Sequence, residues 1–246
     1  MTPFTLLLTR PRPQAERFAE AFAERFGPAI RIVISPLLRI EPQQGALPPL
    51  SDYSGLVFSS RNGVQSLAGM SDDRRLPAYC VGARTAEAAR AIGLRAEFCG
   101  ADADALVARL AQAAPGGRLL HLRGAHARGG IAERLSASGQ PCDEAVIYDQ
   151  IPQKLSPEAL DLLGGEGLVL LPLFSPRSAR LAAQATAGAT APLALASMSR
   201  AVTEAWAGPL PVLLRQAAHP DAAAMLDALG ALIAAARHLE GRNAAG

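Results

Sequence analysis

Lysine is almost missing from this chain: of 24 lysine and arginine residues, only Lys154 is a lysine. Set against 22 acidic residues, the net charge is only +2. That excludes the one-sided basic excess by which general nucleic-acid binders are recognised. Cysteine is scarce as well. Cys80, Cys99 and Cys142 form no C-x-x-C pair and no Cys/His cluster, which points to free buried thiols in a reducing compartment. The opening stretch MTPFTLLLTRPRP has no basic region and only a short apolar run, so no signal peptide is predicted. No stretch approaches the roughly 18 apolar residues of a membrane span. A cytoplasmic protein is expected.

Chemical signatures are equally sparse. His121, His126, His219 and His238 lack metal-ligand spacing. RGAHARGG (123–130) looks like a loose glycine loop, but it has neither G-x-G-x-x-G order nor a P-loop lysine. No G-x-S-x-G elbow and no carboxylate pair stands out. An enzyme without metal or nucleotide cofactor is expected, or else a binding protein.

What the chain does have is regular alternation. Short apolar runs such as Phe4–Thr9, Leu56–Ser59, Arg118–Leu122 and Gly167–Phe174 alternate with helical patterns. Runs of four to seven apolar residues between helices are the mark of parallel strands buried on both faces. The βαβα order predicts a doubly wound α/β fold.

The alternation also repeats itself. LVFSSRNGVQSL (56–67) and LPLFSPRSARLAA (171–183) both run an apolar strand through Phe-Ser and an arginine into a helix. Phe58 maps to Phe174, an offset of about 116, and the match continues for about 60 residues, from Cys80 onto Ala196. Two similar lobes are expected, a discontinuous one (1–36 plus 151–246) and a continuous one (40–147). The chain would cross between them at about 36–41 and 147–152.

In open parallel sheets, ligands collect beyond the carboxyl ends of the strands, where helix N-termini present free N–H groups. The residues at such turns are the candidate binding set. In the continuous lobe they are Ser59, Ser60, Asn62, Gly63, Arg84, Thr85, Arg123 and Gly124. In the other they are Arg10, Arg12, Ser175, Arg177, Ser178, Ser199 and Arg200. Several such ends suit a polyanion better than one phosphate. Plain N-capping would equally account for each serine, threonine or asparagine, and Asn62-Gly63 could be simple turn chemistry. The arginine bias suits forked recognition of carboxylates, yet a GC-rich genome would produce it too.

Taken together, TRP (9–11), FSSRNGV (58–64), VGARTA (81–86), LRG (122–124), VIY (146–148), FSPRSA (174–179) and the helix after HPD (219–221) resemble the uroporphyrinogen-III synthase family. The resemblance runs along nearly the whole chain, in order. It implies two doubly wound parallel-sheet lobes joined by a two-stranded linker, with a ligand cleft between them. It implies a lyase of tetrapyrrole and heme biosynthesis that takes linear hydroxymethylbilane, a polycarboxylate. Water is lost, ring D is inverted through a spiro intermediate, and the macrocycle closes without a cofactor. Tyr148 matches the family's linker tyrosine, the expected catalytic group. Ser175 matches its second-lobe serine, which is expected to matter more than Ser59. The chain departs from the family at Ala196–Ala201, where Ser197 stands in place of a glycine and Arg200 in place of a second hydroxyl residue. A monomer is expected, with no nucleic acid or membrane partner. The alternative is a two-lobed cytoplasmic small-anion-binding protein without catalysis. A periplasmic-type binding protein is disfavoured by the missing signal peptide. A receiver-like module is disfavoured by Thr9-Arg10, where an acidic pocket would be needed.

Overall fold

The computed structural model describes residues 4–43, 45, 47–127 and 129–243, and no side chain beyond 238. Arg128, part of the glycine-containing stretch noted above, lies outside the described residues, as do Ala244–Gly246. By its contacts the chain divides into two compact units, 1–39 with 152–246 and 40–151.

The first unit begins with β1 (Thr5–Leu8), α1 (Arg12–Phe26) and β2 (Arg31–Ile34). After the chain has left and returned, it continues with α6 (Pro157–Leu163), β9 (Val169–Leu173), α7 (Pro176–Ala185), β10 (Leu193–Ser197), α8 (Arg200–Glu204), β11 (Leu213–Gln216) and α9 (Ala222–Asn243). Its strands form one parallel sheet in the order β11-β10-β9-β1-β2. Successive residues of a strand point to opposite faces. Leu6, Leu8 and Leu170 pack with Phe18 and Phe22 of α1 and with Met225 and Leu229 of α9. Leu7, Val169 and Leu171 pack with Leu163, Ala179 and Val202 of α6, α7 and α8.

The second unit holds β3 (Leu38–Pro42), β4 (Gly55–Phe58), α2 (Arg61–Ala68), β5 (Pro77–Cys80), α3 (Ala83–Ala91), β6 (Arg95–Phe98), α4 (Ala103–Ala113), β7 (Leu119–Gly124), α5 (Ile131–Ala137) and β8 (Cys142–Pro152). The sheet order is β3-β8-β7-β4-β5-β6. From β8 through to β6 the neighbours run parallel. The edge strand β3 runs antiparallel to β8: Gln43 N donates to the Ile147 carbonyl, and Gln153 N donates to the Leu37 carbonyl. Leu56, Phe58, Leu120 and Leu122 face α2 and α3. Val57 and Leu119 face Leu106 and Leu110 of α4 and Ile131 and Leu135 of α5. Burying each of these leucines fully contributes about 1.5–3 kcal/mol, so each sheet is held from both sides.

The two sheets are the same arrangement threaded from different starting points. β9, β10 and β11 take the places of β4, β5 and β6. β1 and β2 take those of β7 and β8, though they come first in the chain instead of last. Each sheet therefore reverses its winding once, between β4 and β7 in one unit and between β9 and β1 in the other.

Two element boundaries follow from their surroundings. α1 opens at Arg12 because Pro13 suits the first turn of a helix. β8 is long, Cys142–Pro152, because it pairs with β7 and then with β3.

Candidate functional site

Ligand crevices in open α/β sheets form where the strand order reverses, outside the carboxyl ends of the two strands concerned. In the second unit that place is the end of β4 and β7. Six of the sequence candidates lie there, Ser59, Ser60, Asn62, Gly63, Arg123 and Gly124, together with Tyr148.

Tyr148 is placed by an irregularity. Along the β7–β8 ladder, Arg123 lies opposite Val146, but Gly124 lies opposite Tyr148. β8 thus spends one extra residue, Ile147, in a bulge. Consecutive side chains normally point to opposite faces, yet Ile147 and Tyr148 both enter the same core cluster. The ring of Tyr148 lies on Gly124. A Cβ on Gly124 would stand 2.5 Å from Tyr148 Cε2 and Cζ and 2.9 Å from Oη. Gly63, on the first turn of α2, has its own close approach. A Cβ there would meet the Leu122 carbonyl oxygen at 2.9 Å, and Tyr148 Cε1 at 3.8 Å. Both glycines therefore make room: Gly63 lets α2 reach the end of β7, and Gly124 lets the phenol lie flat against it. Tyr148 is 4% exposed. Burial raises its pKa, opposed by a hydrogen bond with Ser60, so the phenol holds its proton at neutral pH.

Ser60 is the N-cap of α2, and its Oγ accepts from Asn62 N at 3.1 Å. Asn62 and Gly63 are helical residues here, not the centre of a turn. Ser59 sits one residue before the cap. Its Oγ lies 3.0 Å from His121 Nε2. His121 is 1% exposed, and its Nδ1 has no hydrogen-bond partner among the described residues. Burial pushes its pKa down to about 4, with Arg123 lowering it further and Glu144 opposing. Arg123 donates to Glu144 Oε1 and to the Gly124 carbonyl. That ion pair holds the Glu144 carboxyl below its ordinary pKa. At the other candidate turn of this unit, Arg84 is exposed and Thr85 buried at the start of α3, where Gly82 takes the positive φ of 80° that the cap requires.

In the first unit the reversal lies at the ends of β9 and β1. Arg10 follows β1, and its guanidinium lies over the Phe174 ring, 3.8 Å from the centroid. Phe174 meets Phe18 edge to face at 5.1 Å. Stacking of this kind fixes the plane of the guanidinium fork. Ser175 caps α7 in a reciprocal box: its Oγ accepts from Ser178 N at 3.1 Å, and Ser178 Oγ accepts from Ser175 N at 3.0 Å. The two hydroxyls also bond each other at 2.9 Å, and the Ser178 hydroxyl donates to the Ser175 carbonyl. Arg177 lies half-buried in the first turn of the same helix. Ser199 occupies the N-cap of α8 without a side-chain cap bond. Arg200 lies outward, paired with Glu204 at 2.7 Å, both exposed. Arg12 is exposed too, 3.5 Å from Glu16.

Two contributors were missed from sequence. The sequence signal for His121 is a lone histidine at an inward position of a core strand, and Phe174 is marked only by the repeat. Among the described residues no cluster of three or more His, Cys, Asp or Glu could hold a metal. The three thiols are buried, and burial raises the pKa of Cys80 and Cys142 to about 12, so they are not poised as nucleophiles. Among the described residues no helix is long and apolar enough to cross a membrane.

Fold and site together define an α/β protein of two mainly parallel sheets, with hydroxyls, a phenol and guanidinium groups gathered where the sheets reverse. A family model described as uroporphyrinogen-III synthase HemD matches residues 16–227. The chain belongs to the uroporphyrinogen-III synthase family, lyases of heme biosynthesis. It is 29% identical over 191 residues to the uroporphyrinogen-III synthase of Chlorobaculum parvum, a match covering 72% of this chain and 76% of that one. Its fold is similar to that of the uroporphyrinogen-III synthetase of Helicobacter pylori. That likeness has a TM-score of 0.63 at 17% identity, over 94% of this chain and all of the other. A mutant uroporphyrinogen III synthase of Thermus thermophilus gives 0.51 at 16%, over 94% and 98%.

Proposed function

We propose that the chain cyclises hydroxymethylbilane to uroporphyrinogen III, with Tyr148 assisting departure of the hydroxyl. The observation that carries this reading is the Tyr148 ring laid against Gly124 at the switch point between β4 and β7. A phenol so confined has one available task, to present its hydroxyl at a fixed point.

The chemistry asks for little more. The pyrrole nitrogen lone pair expels the hydroxyl as hydroxide, and the proton that ring D releases on regaining aromaticity after closure completes the water. The raised pKa of Tyr148 suits it to hydrogen-bond to the departing oxygen as a weak acid, not to surrender its proton outright. Closure onto the substituted carbon of ring D, then migration through the spiro intermediate, depends on how that ring is held. This is catalysis by positioning.

Ser59, Ser60 and Arg123 at one switch point, and Arg10 and Arg177 at the other, are proposed to bind the carboxylates. A charge-assisted hydrogen bond contributes about 1.5–3 kcal/mol, so the loss of any one would be tolerated. Arg200, Arg12 and Arg84, all exposed, are proposed as weaker contributors, with Ser199 and Thr85 beside them. The reading takes the chain to be a cytoplasmic monomer and invokes no cofactor. Family membership disfavours an anion-binding protein without catalysis.

The test is product identity. Incubation with hydroxymethylbilane, oxidation and separation of the porphyrin isomers is expected to give isomer III; isomer I alone, at the rate without enzyme, overturns the reading. Tyr148→Phe is expected to slow turnover on the order of a hundredfold with little change in KM. Wild-type turnover would remove the acid role alone.

A further inference from the structure

We propose that His121 is a positioning residue for Ser59: its Nε2–H donates to Ser59 Oγ and thereby turns the Ser59 O–H outward, as a donor to a substrate carboxylate. This rests on the reading of Ser59 as a carboxylate-binding residue.

The contact follows from register. Val57 of β4 lies opposite His121 of β7. Ser59 is two residues beyond Val57 and so falls on the same face. On that face Val57 and Leu119 pack against Leu106 and Leu110 of α4 and Ile131 and Leu135 of α5. The chain places there an imidazole 1% exposed, bonded through Nε2 to the serine at 3.0 Å.

The direction of that bond follows from the other nitrogen. Burial keeps the ring neutral at physiological pH, so it carries one proton. Nδ1 is buried and has no partner among the described residues. With the proton on Nδ1, a buried N–H would be left unpaired, the rarer and costlier defect. Nε2 would then accept from Ser59 and consume the serine proton inside the protein. With the proton on Nε2, only a lone pair is left unmatched, and Ser59 Oγ becomes the acceptor. The half-buried Ser59 hydroxyl is then free to donate outward, and a hydroxyl that accepts from a donor is itself a better donor.

The contrast with α7 sharpens the point. There Ser175 and Ser178 satisfy each other in a closed loop of hydrogen bonds. At α2 the capping duty falls to Ser60, which leaves Ser59 to His121.

Two measurements test this. Histidine 15N chemical shifts of the wild-type protein report the tautomer directly; the Nε2–H form is expected, and the Nδ1–H form overturns the proposal whatever the variants do. Steady-state kinetics with hydroxymethylbilane follow. His121→Leu is expected to raise KM about two- to tenfold, with kcat little changed and Tm equal or higher, because an unsatisfied buried nitrogen is removed. His121→Gln, whose amide N–H can replace the imidazole N–H, is expected to recover the lower KM. In a Ser59→Ala background, His121→Leu is expected to add nothing. A KM increase that persists in that background, or wild-type KM in His121→Leu when Ser59→Ala does raise KM, overturns the role of His121 alone. Wild-type KM in Ser59→Ala overturns the Ser59 reading and this proposal together, while isomer III formation would still support the function.

Discussion

Gly124→Ala adds one methyl group where the structure leaves no room for it. Gly124 is not among the glycines with positive φ, so alanine meets no backbone strain, and any effect comes from the new contact. That Cβ would lie 2.5 Å from Tyr148 Cε2 and Cζ, while carbons normally approach to about 3.5 Å. The ring must therefore retreat by about 1 Å, into a core where Ile147 and Leu122 are already buried. Overpacking of this kind costs about 1–3 kcal/mol, a loss of a few degrees in Tm for a chain this size. The effect on chemistry should be larger, since a 1 Å misplacement of a positioned group costs about 10²-fold. Turnover measured by isomer separation is expected to fall by that order, with isomer I rising as unconverted substrate closes spontaneously. Adding Tyr148→Phe to Gly124→Ala should cost little more than either alone. Gly69→Ala, where the new Cβ meets nothing nearer than 3.7 Å, is the matched control and should behave as wild type. A Gly124→Ala enzyme with normal turnover and a normal isomer ratio would refute the idea that Gly124 positions the phenol.

Ser175→Ala breaks a reciprocal capping box and is expected to cost about 1 kcal/mol of stability, read as a lower denaturant midpoint. Its effect on KM should be smaller than that of Ser59→Ala, the reverse of the ranking expected from sequence, because the Ser175 proton is already committed to Ser178; the opposite result would show that the cap opens to bind substrate. Acid should destabilise the second unit through His121. Its folded pKa is lowered from 6.5 to about 4, so the two states differ in bound protons only as pH falls below 6.5, where the unfolded chain takes up a proton that the folded one refuses. Stability present above pH 6.5 is thus lost on the way down, by about 2 kcal/mol at pH 5. Glu144, whose pKa is lowered by Arg123, adds a loss of the same sign at lower pH. Urea unfolding of His121→Leu should show a shallower decline between pH 6.5 and 5, and an identical decline would refute the assignment.

The class of fold was legible in the sequence because it is written in short-range order. Apolar runs such as Leu56–Phe58 and Val169–Leu173, too short for helices and alternating with helical patterns, read as parallel strands covered on both faces. The serines and arginines after them sit at strand ends for the same local reason. Which residue does what there was not legible. The repeat set Ser59 against Ser175, yet the helices begin one residue out of step with it: Ser60 caps α2, and Ser175 caps α7. A shift of one residue leaves the pattern intact and changes the partner of every hydroxyl. Tyr148 reaches Gly124 through a bulge of one residue, and Ser59 reaches His121 across strands 62 residues apart. Sequence by itself therefore determined the layers, the turns and the chemical types gathered at them, since these depend on neighbours two to four residues away. Tertiary structure alone decided the site, because bulges and the pairing of distant strands arise from the balance of packing across the whole sheet.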